Sequence, residues 1–209
     1  MIHQIRGAVA LASTLAFGLF ALLASTADAS VLSILPGSCG AQVESQPFSQ
    51  WGDGSNYTPV AGGGFESGTA GWTLSGTAKA APGNETYGVA GGSQSLSLPA
   101  GSSATSPASC TSIYHPTVRF FLRNTGSPSS RLIVQAVYPG LLGGTQTATL
   151  GRLAGSSSWQ PSPAMTLLLS NLLATVSLNQ TAISFRFVPA DNVGGWSIDD
   201  VYLDPFMRG

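Results

Sequence analysis

The chain is poor in charged residues. Only 8% of its 209 residues are Asp, Glu, Lys or Arg, whereas about 25% is usual for a globular protein. The 8 basic and 9 acidic residues nearly balance, and Lys79 is the only lysine. No run of basic residues is large enough to indicate binding to nucleic acid or to an anionic membrane. The composition favours a neutral surface rich in glycine and hydroxyl groups.

A long apolar run occurs only near the start. Arg6 precedes the run 9–23, and Ala27-Asp28-Ala29 follows it as a small-x-small cleavage site. This pattern is typical of a secretory signal peptide over residues 1–29, so we expect a secreted, extracellular chain beginning near Ser30. The alternative is a retained membrane anchor, for which the run is short. No later stretch is long and apolar enough to span a membrane.

Cysteine and histidine are scarce, and this scarcity limits the possible chemistry. Cys39 and Cys110 are the only cysteines, and two thiols in a secreted chain favour one disulfide. That bond would close a loop of about 70 residues and contribute on the order of 4 kcal/mol. His115 is the only histidine after residue 29 and no G-x-S-x-G motif is present, which argues against a Ser-His-Asp hydrolase and against a soft-ligand metal site.

Strand signals dominate the body of the chain. We interpret residues 30–60 as an irregular N-terminal arm and residues 61–206 as one domain. Short segments rich in β-branched and aromatic residues recur between Gly, Pro, Ser and Asn, which predicts an all-β antiparallel sandwich. One segment, 165–178, has leucines at helical spacing and predicts a short helix. The predicted strands are 72–80, 93–100, 117–123, 131–139, 145–153, 181–189 and 196–203.

Three segments resemble a known group of proteins. "GGGFESGTAGWTLSG" (62–76), "ETYGVAGGSQSLSLPAG" (85–101) and "GGWSIDDVYLDPF" (194–206) are similar, in this order, to parts of carbohydrate-binding modules of the galactose-binding-like jelly-roll type. The resemblance implies a jelly-roll sandwich whose first and last strands are neighbours. "PFSQWGD" and "HPTVRFFLRNTG" also resemble segments of a group of secreted bacterial proteins, and this second resemblance implies no activity.

The jelly-roll resemblance also implies a structural calcium ion. Its ligands would be Glu66 and one of Asp199 or Asp200, completed by backbone carbonyl oxygens, because Ca²⁺ takes six to eight oxygen ligands. Strand alternation predicts that the two aspartates point to opposite faces, and we favour Asp200, on the side of Trp196 and Ile198. The alternative is that Glu66 only accepts backbone hydrogen bonds and that both aspartates are solvated.

Aromatic and polar side chains are the candidates for binding a sugar, since sugars stack on rings and hydrogen-bond to polar groups. The resemblance implies that Trp72, Trp159 and Trp196 fall at strand positions of the family and are core, which leaves Trp51 as the tryptophan expected to be exposed. The alternating polar positions can equally be a solvated face. The candidate ligand-binding residues are Trp51, Tyr87, Arg119, Arg123, Gln135 and Tyr138.

The expected function is non-catalytic binding of an extracellular glycan. A glycosidase needs two carboxylates about 5–10 Å apart in a cleft, and the one pair that the resemblance brings together, Glu66 with Asp199 or Asp200, is better explained by calcium. The alternative function is a structural or interaction protein of the cell surface that has no sugar site. Two or more exposed aromatics in a shallow groove would distinguish the sugar binder.

Overall fold

The structure is a computed structural model that describes residues 42–112, 116–140, 143–167 and 180–204. These residues form two antiparallel β-sheets and one short 3-10 turn, Ser49–Trp51. The all-β sandwich expected from the strand signals is therefore confirmed. The strands are β1 (Thr58–Pro59), β2 (Thr73–Ser75), β3 (Lys79–Pro82), β4 (Gln94–Pro99), β5 (Ser103–Thr105), β6 (Ser109–Ser112), β7 (Thr117–Asn124), β8 (Leu132–Pro139), β9 (Thr145–Leu153), β10 (Gln160–Pro161), β11 (Met165–Thr166), β12 (Gln180–Pro189) and β13 (Gly195–Asp204).

The two sheets divide the strands seven to six. The seven-stranded sheet has the order β10-β7-β13-β4-β3, with β1 paired to β13 and β11 paired to β7. The six-stranded sheet has the order β2-β5-β12-β8-β9, with β6 paired to β12. The pairing of β1 with β13 places the end of the predicted arm beside the last strand, and backbone bonds of Val60 and Gly63 with Val201 bring the start of the predicted domain to the same strand.

The main core lies between the sheets. Phe120 and Leu122 of β7 meet Val134 of β8 and Phe187 of β12 in one buried cluster. These side chains alternate along their strands with outward-facing residues, as the pleat requires. Each fully buried large apolar side chain stabilises the fold by roughly 1.5–3 kcal/mol, and this cluster therefore holds the two sheets together.

A second cluster lies on the outer face of the seven-stranded sheet, the face that points away from the six-stranded sheet. Residues of the predicted arm cover Phe121 and its neighbours there, and Trp51 and Val89 pack against the cluster from the surface. Phe48 stacks on Phe121 with ring centroids 5.5 Å apart. We call this the aromatic cluster, and its buried members are Phe48, Tyr57, Phe121, Trp159 and Tyr202.

Two details differ from the strand expectations. The predicted strand 72–80 is two strands, because Gly76 has a φ of 67° and turns the chain from β2 in one sheet to β3 in the other. Most of the predicted helix 165–178 lies outside the described residues, and its first two residues form β11. Within the described ranges no helix is long and apolar enough to cross a membrane.

The glycine run before Phe65 allows a close approach of two chain segments. Gly63 donates to Val60 and accepts from Val201 through its backbone. A Cβ at Gly63 would lie 2.9 Å from the Val60 carbonyl oxygen and 3.0 Å from that of Val201, so only glycine fits without displacement. The glycine run therefore allows the turn that carries Glu66 to pack directly on β13.

Candidate functional site

Four carboxylates surround the loop between Asn84 and Gln94. Glu85 accepts the backbone N–H groups of Tyr87 and Val89. The other three carboxylates belong to residues outside the loop, and each accepts a hydrogen bond from a backbone N–H of the loop. Glu66 accepts from Ser93 at 2.9 Å and from Gln94 at 2.8 Å, Asp199 accepts from Glu85 at 3.0 Å, and Asp200 accepts from Ala90 at 3.3 Å. We call Glu66, Glu85, Asp199 and Asp200 the carboxylate cluster.

A β-bulge brings both aspartates to this loop. The register of β13 against β7 shifts between Asp199 and Tyr202, and Asp200 has a φ of 47°, which is uncommon for a residue other than glycine. The expectation that Asp199 and Asp200 point to opposite faces is therefore wrong, because the bulge interrupts the alternation. Asp199 also accepts the N–H of Asp200 at 2.9 Å, so both of its oxygens are occupied by backbone donors.

Burial shifts the titration of the cluster. The pKa of Asp199 is raised to about 8, chiefly by desolvation and also by the nearby charges of Asp200 and Glu85, although its two backbone hydrogen bonds lower it. Desolvation likewise raises the pKa of Asp200 to about 6, with contributions from Glu85 and Glu66. The exposed Glu66 behaves differently, since the N–H groups of Gln94 and Ser93 lower its pKa. The negative charge in the buried part is thus incompletely compensated.

The oxygen atoms of this cluster are of the type that binds Ca²⁺ in proteins. No group of three or more His, Cys, Asp or Glu among the described residues is arranged to hold a metal ion by itself. Asn84 Oδ1, however, is buried without a hydrogen-bond partner, and it lies near Glu66, since a Cβ on Gly92 would touch the oxygens of both. Carboxylate and amide oxygens are the ligands that Ca²⁺ prefers. Asp200 accepts one hydrogen bond, from Ala90. Both backbone donors of Glu66 bond to Oε1, which leaves Oε2 with only the Ser93 hydroxyl at 3.4 Å, so Asp200 and Glu66 each keep an oxygen for the ligand role.

Trp51 and Tyr87 form an aromatic pair at the surface, in which Tyr87 is exposed and Trp51, expected to be exposed, is only partly so. Tyr87 is 42% exposed and is the only ring among the large exposed apolar residues in the described ranges. Trp51 is partly buried and contacts Tyr87 edge to face, with centroids 4.9 Å apart. The Tyr87 hydroxyl donates to the Trp159 carbonyl oxygen at 2.8 Å. The structure thus joins two of the predicted ligand-binding residues, which are 36 positions apart in sequence, into one pair.

The remaining predicted ligand-binding residues are placed differently. Arg123 lies beside this pair, with its guanidinium 4.9 Å from the Trp159 ring centroid. Arg119 is buried under the arm instead of lining an open face. Gln135 and Tyr138 lie on β8 of the six-stranded sheet and do not join the group.

Arg119 fixes the arm to β7. It forms an ion pair with Asp53 and donates from Nε and Nη2 to the Ser162 carbonyl oxygen, at 3.1 and 2.9 Å. Its guanidinium lies 4.1 Å from the ring centroid of Phe48. Burial would raise the pKa of Asp53, but hydrogen bonds from Tyr57, Ser55 and Arg119 lower it to about 2. The carboxylate therefore stays ionised and cannot act as a general acid.

A polar cavity of about 480 Å³ lies beside this ion pair. Its lining contains no aromatic side chain, so it offers no stacking surface. Asp53 is one of three acids in its wall. The lining residues are Glu44, Gln46, Gly52, Asp53, Gly54, Ser55, Asn56 and Asp204.

Two structural acids had no role in the sequence interpretation. Glu85 accepts from residues two and four positions ahead, a local pattern typical of an acid that opens a glycine-rich loop. Asp53 similarly accepts the N–H of Ser55 at 3.0 Å. An acid placed directly before a Gly, Ser or Thr turn was the available signal for both. Their long-range partners, by contrast, depend on the fold.

Comparison with known proteins supports the fold. No protein-family model matches the chain, and no curated protein matches its sequence. Among solved structures, the CBM22-1 xylan-binding domain of Paenibacillus barcinonensis Xyn10C is 15% identical, with a TM-score of 0.50 over 70% of this chain and 93% of that one. The tandem CBM22-1–CBM22-2 domain of the same enzyme is 12% identical, with a TM-score of 0.51 over 82% of this chain and 48% of that one.

A third similar structure is the CBM22-1–GH10 portion of Clostridium thermocellum xylanase 10B, complexed with xylohexaose. It is 12% identical, with a TM-score of 0.50, and covers 72% of this chain and 28% of that one. At such identities the likeness concerns the fold alone. The chain therefore has the β-sandwich fold of carbohydrate-binding modules, and its ligand has to be argued from its own residues.

Proposed function

We propose that this protein is an exported, non-catalytic module that binds a glycan through the surface pair Trp51 and Tyr87. The observation that carries the proposal is that these two residues, chosen from sequence as sugar contacts, meet at the surface of a sandwich with the carbohydrate-binding-module fold. Aromatic rings held rigidly from beneath are suited to stack on the apolar face of a sugar ring.

Three features support a preformed platform. Phe121 packs under both rings, with centroids 5.4 Å from Trp51 and 5.6 Å from Tyr87. The Tyr87 backbone N–H is held by Glu85, and its hydroxyl is held by the Trp159 carbonyl. Ordering costs paid before binding do not reduce affinity, so a pair fixed in this way favours binding.

A soluble-oligosaccharide array that includes xylohexaose tests the proposal, followed by calorimetry with the best hit. Tyr87→Ala is expected to weaken binding at least tenfold, because the exposed ring is lost. Val193→Ala removes an apolar side chain elsewhere that is more exposed than Tyr87, at 63%, and is expected to leave binding unchanged. Equal affinity of wild type and Tyr87→Ala would contradict this site.

The absence of catalysis is supported by the state of the acids. Asp53 is ion-paired, and Asp199 is completely buried beneath the loop 84–94, so neither carboxyl group faces an open cleft in which it could donate a proton to a sugar. A chromogenic glycoside panel should show no hydrolysis above the buffer rate. Turnover that is lost in Asp53→Asn or Asp199→Asn would overturn this part of the proposal.

The alternative is an interaction protein of the cell surface. It is favoured because Tyr87 is the one strongly exposed ring in the described part of the chain, where a broad sugar groove would present several. If the array shows no glycan binding while the protein is folded, this alternative takes precedence.

We further propose one structural calcium ion, with Glu66, Asp200 and Asn84 as side-chain ligands. Calcium would neutralise the carboxylate cluster and tie the loop 84–94 to β13. The thermal midpoint is expected to rise with CaCl₂ and fall with EDTA, and Glu66→Gln should abolish this response. Glu44→Gln, which changes an exposed acid of the arm, is the matched control. Identical thermal midpoints in CaCl₂ and in EDTA would contradict the proposed calcium site.

Export and the disulfide also remain proposals. Residues 1–29 and Cys39 lie outside the described residues, while Cys110 lies in β6 and is not free. Mass spectrometry of the secreted protein is expected to give an N-terminus near Ser30 and no alkylation of Cys39 or Cys110 before reduction. Two alkylated thiols in unreduced material would contradict the disulfide.

A further inference from the structure

A polar row with a cation at each end crosses the open part of the seven-stranded sheet. Strand register places Arg123 of β7 opposite Ser197 of β13, Ser197 opposite Ser97 of β4, and Ser97 opposite Lys79 of β3. Neighbouring strands lie about 4.8 Å apart, so the row spans roughly 14 Å between its outer Cα atoms.

The row points outward. Its residues alternate with Leu122, Leu96 and Ile198, all of which are buried between the sheets. Lys79 is exposed, and Arg123 and Ser97 are partly buried. Ser197 between them is buried, and Arg123 borders the aromatic cluster at Trp159, so the row reaches the surface at Arg123, Ser97 and Lys79.

Both cations lack a partner acid. In the described part of the chain the recorded ion pair is Arg119–Asp53, and neither Arg123 nor Lys79 takes part in one. Arg123 Nε is moreover buried and has no hydrogen-bond partner. An unsatisfied buried donor is uncommon in folded proteins and indicates a group that a ligand can complete.

The surroundings keep Arg123 oriented. Its guanidinium lies over the Trp159 ring, whose carbonyl oxygen also accepts the Tyr87 hydroxyl. A guanidinium stacked on a ring keeps its planar edge of donors free for a carboxylate. The nearest acid on this face along β13 is Asp199, which is fully buried with both oxygens occupied, so it presents no competing charge at the surface.

From these observations we propose that the strip from Tyr87 through Arg123 to Lys79 binds a negatively charged glycan, one whose sugars carry carboxylate groups. This inference rests on the proposed glycan-binding function and specifies the ligand class. Tyr87 supplies the stacking surface, Arg123 pairs with a carboxylate, and Lys79 attracts a second one further along the chain. A neutral glycan would leave both cations and Arg123 Nε unused.

The test compares two probes that differ only in charge: an oligogalacturonide and the same oligosaccharide after reduction of its carboxyl groups. The charged probe is expected to bind at least tenfold more tightly, and its affinity should fall as NaCl is raised. Arg123→Gln should cost at least tenfold for the charged probe and little for the neutral one. Lys79→Gln should cost a few-fold, because an exposed cation contributes less.

Two further variants control the comparison. Arg152→Gln removes an exposed cation of the six-stranded sheet and should have no effect. Arg123→Lys keeps the charge but loses the planar donor edge, and it is expected to recover only part of the affinity. Thermal midpoints within about 2 °C of wild type would show that Arg123→Gln is folded.

The outcomes separate the two proposals. If both probes bind equally and Arg123→Gln is silent while Tyr87→Ala is not, the charged ligand is refuted and the glycan-binding function stands. If Arg152→Gln weakens binding as much as Arg123→Gln, the attraction is non-specific and the strip is refuted. If neither probe binds and no neutral glycan binds on the array, both proposals fail.

Discussion

Replacing Phe48 with alanine tests whether the N-terminal arm is part of the folded domain. Phe48 is fully buried, although it belongs to the stretch interpreted from sequence as an irregular arm. Its ring contacts Tyr57, Phe121 and Tyr202, with centroids 5.1, 5.5 and 5.8 Å away, and Arg119 lies 4.1 Å from its centroid. The side chain thus links the arm to both β7 and β13.

The expected loss follows from these contacts. Phe→Ala in a packed core costs about 3–5 kcal/mol through lost transfer energy and a residual cavity. The lost guanidinium–ring contact adds about 0.5–1 kcal/mol. A total near 4 kcal/mol corresponds to a drop in thermal midpoint of roughly 8–16 °C for a domain of this size.

Calorimetry of Phe48→Ala, with Val43→Ala as the control, measures this. Val43 is 81% exposed in the same segment, and its substitution should change stability by less than about 0.5 kcal/mol. A loss below about 1 kcal/mol would refute the packing argument. A new low-temperature transition with the main transition unchanged would also refute it, since the arm would then unfold independently of the sandwich.

Three other expectations concern the acids and a glycine. The folded-state pKa of Asp53, about 2, lies below its usual value, so its stabilising contribution is present above about pH 4 and is lost as the pH falls towards 2. Wild type should therefore lose more stability than Asp53→Asn over that interval in pH-dependent urea unfolding, and parallel curves would contradict the ion pair. Glu85→Gln should expose the Tyr87 and Val89 amides to hydrogen exchange and weaken glycan binding, whereas unchanged protection would exclude Glu85 as the loop's anchor. Gly92→Ala should cost about 1–3 kcal/mol, because φ is 133° and the new Cβ would meet Glu66; an unchanged midpoint would show that Glu66 does not hold the loop there.

The sandwich was predictable because its signals are local. Alternation along 117–123 and 131–139 identifies core and outer positions directly from residue type. The burial of Trp72, Trp159 and Trp196 was expected from the family resemblance instead. The split of 72–80 into two strands was missed because a glycine such as Gly76 can either turn the chain or continue a strand. Which of the two occurs depends on the sheet that each half joins, and the sequence does not show this. The bulge at Asp200 was missed because a left-handed aspartate leaves no mark in the alternation of its neighbours.

The candidate site was predictable only in its parts. Trp51, Tyr87 and Arg123 were each selected from sequence, but nothing local indicates that they meet while Gln135 and Tyr138 do not. What decides it is which segments pack on the outer face of β7, the face that carries Arg119, Phe121 and Arg123. Sequence alternation assigned these three to one side, without showing that the arm would cover two of them and leave the third open.

The covering of this face explains why the site and the fold depend on each other. The arm and the loop 84–94 both pack on Phe121, and the burial of this ring brings Trp51 and Tyr87 together. The loop can do so because four carboxylates take up its backbone N–H groups, which a buried loop would otherwise leave unsatisfied. The same arrangement concentrates negative charge beneath the loop and leaves the open cations, Arg123 and Lys79, on the face beside it. The charged-sugar site that we propose therefore uses two cations of the same sheet whose acids hold the loop in place.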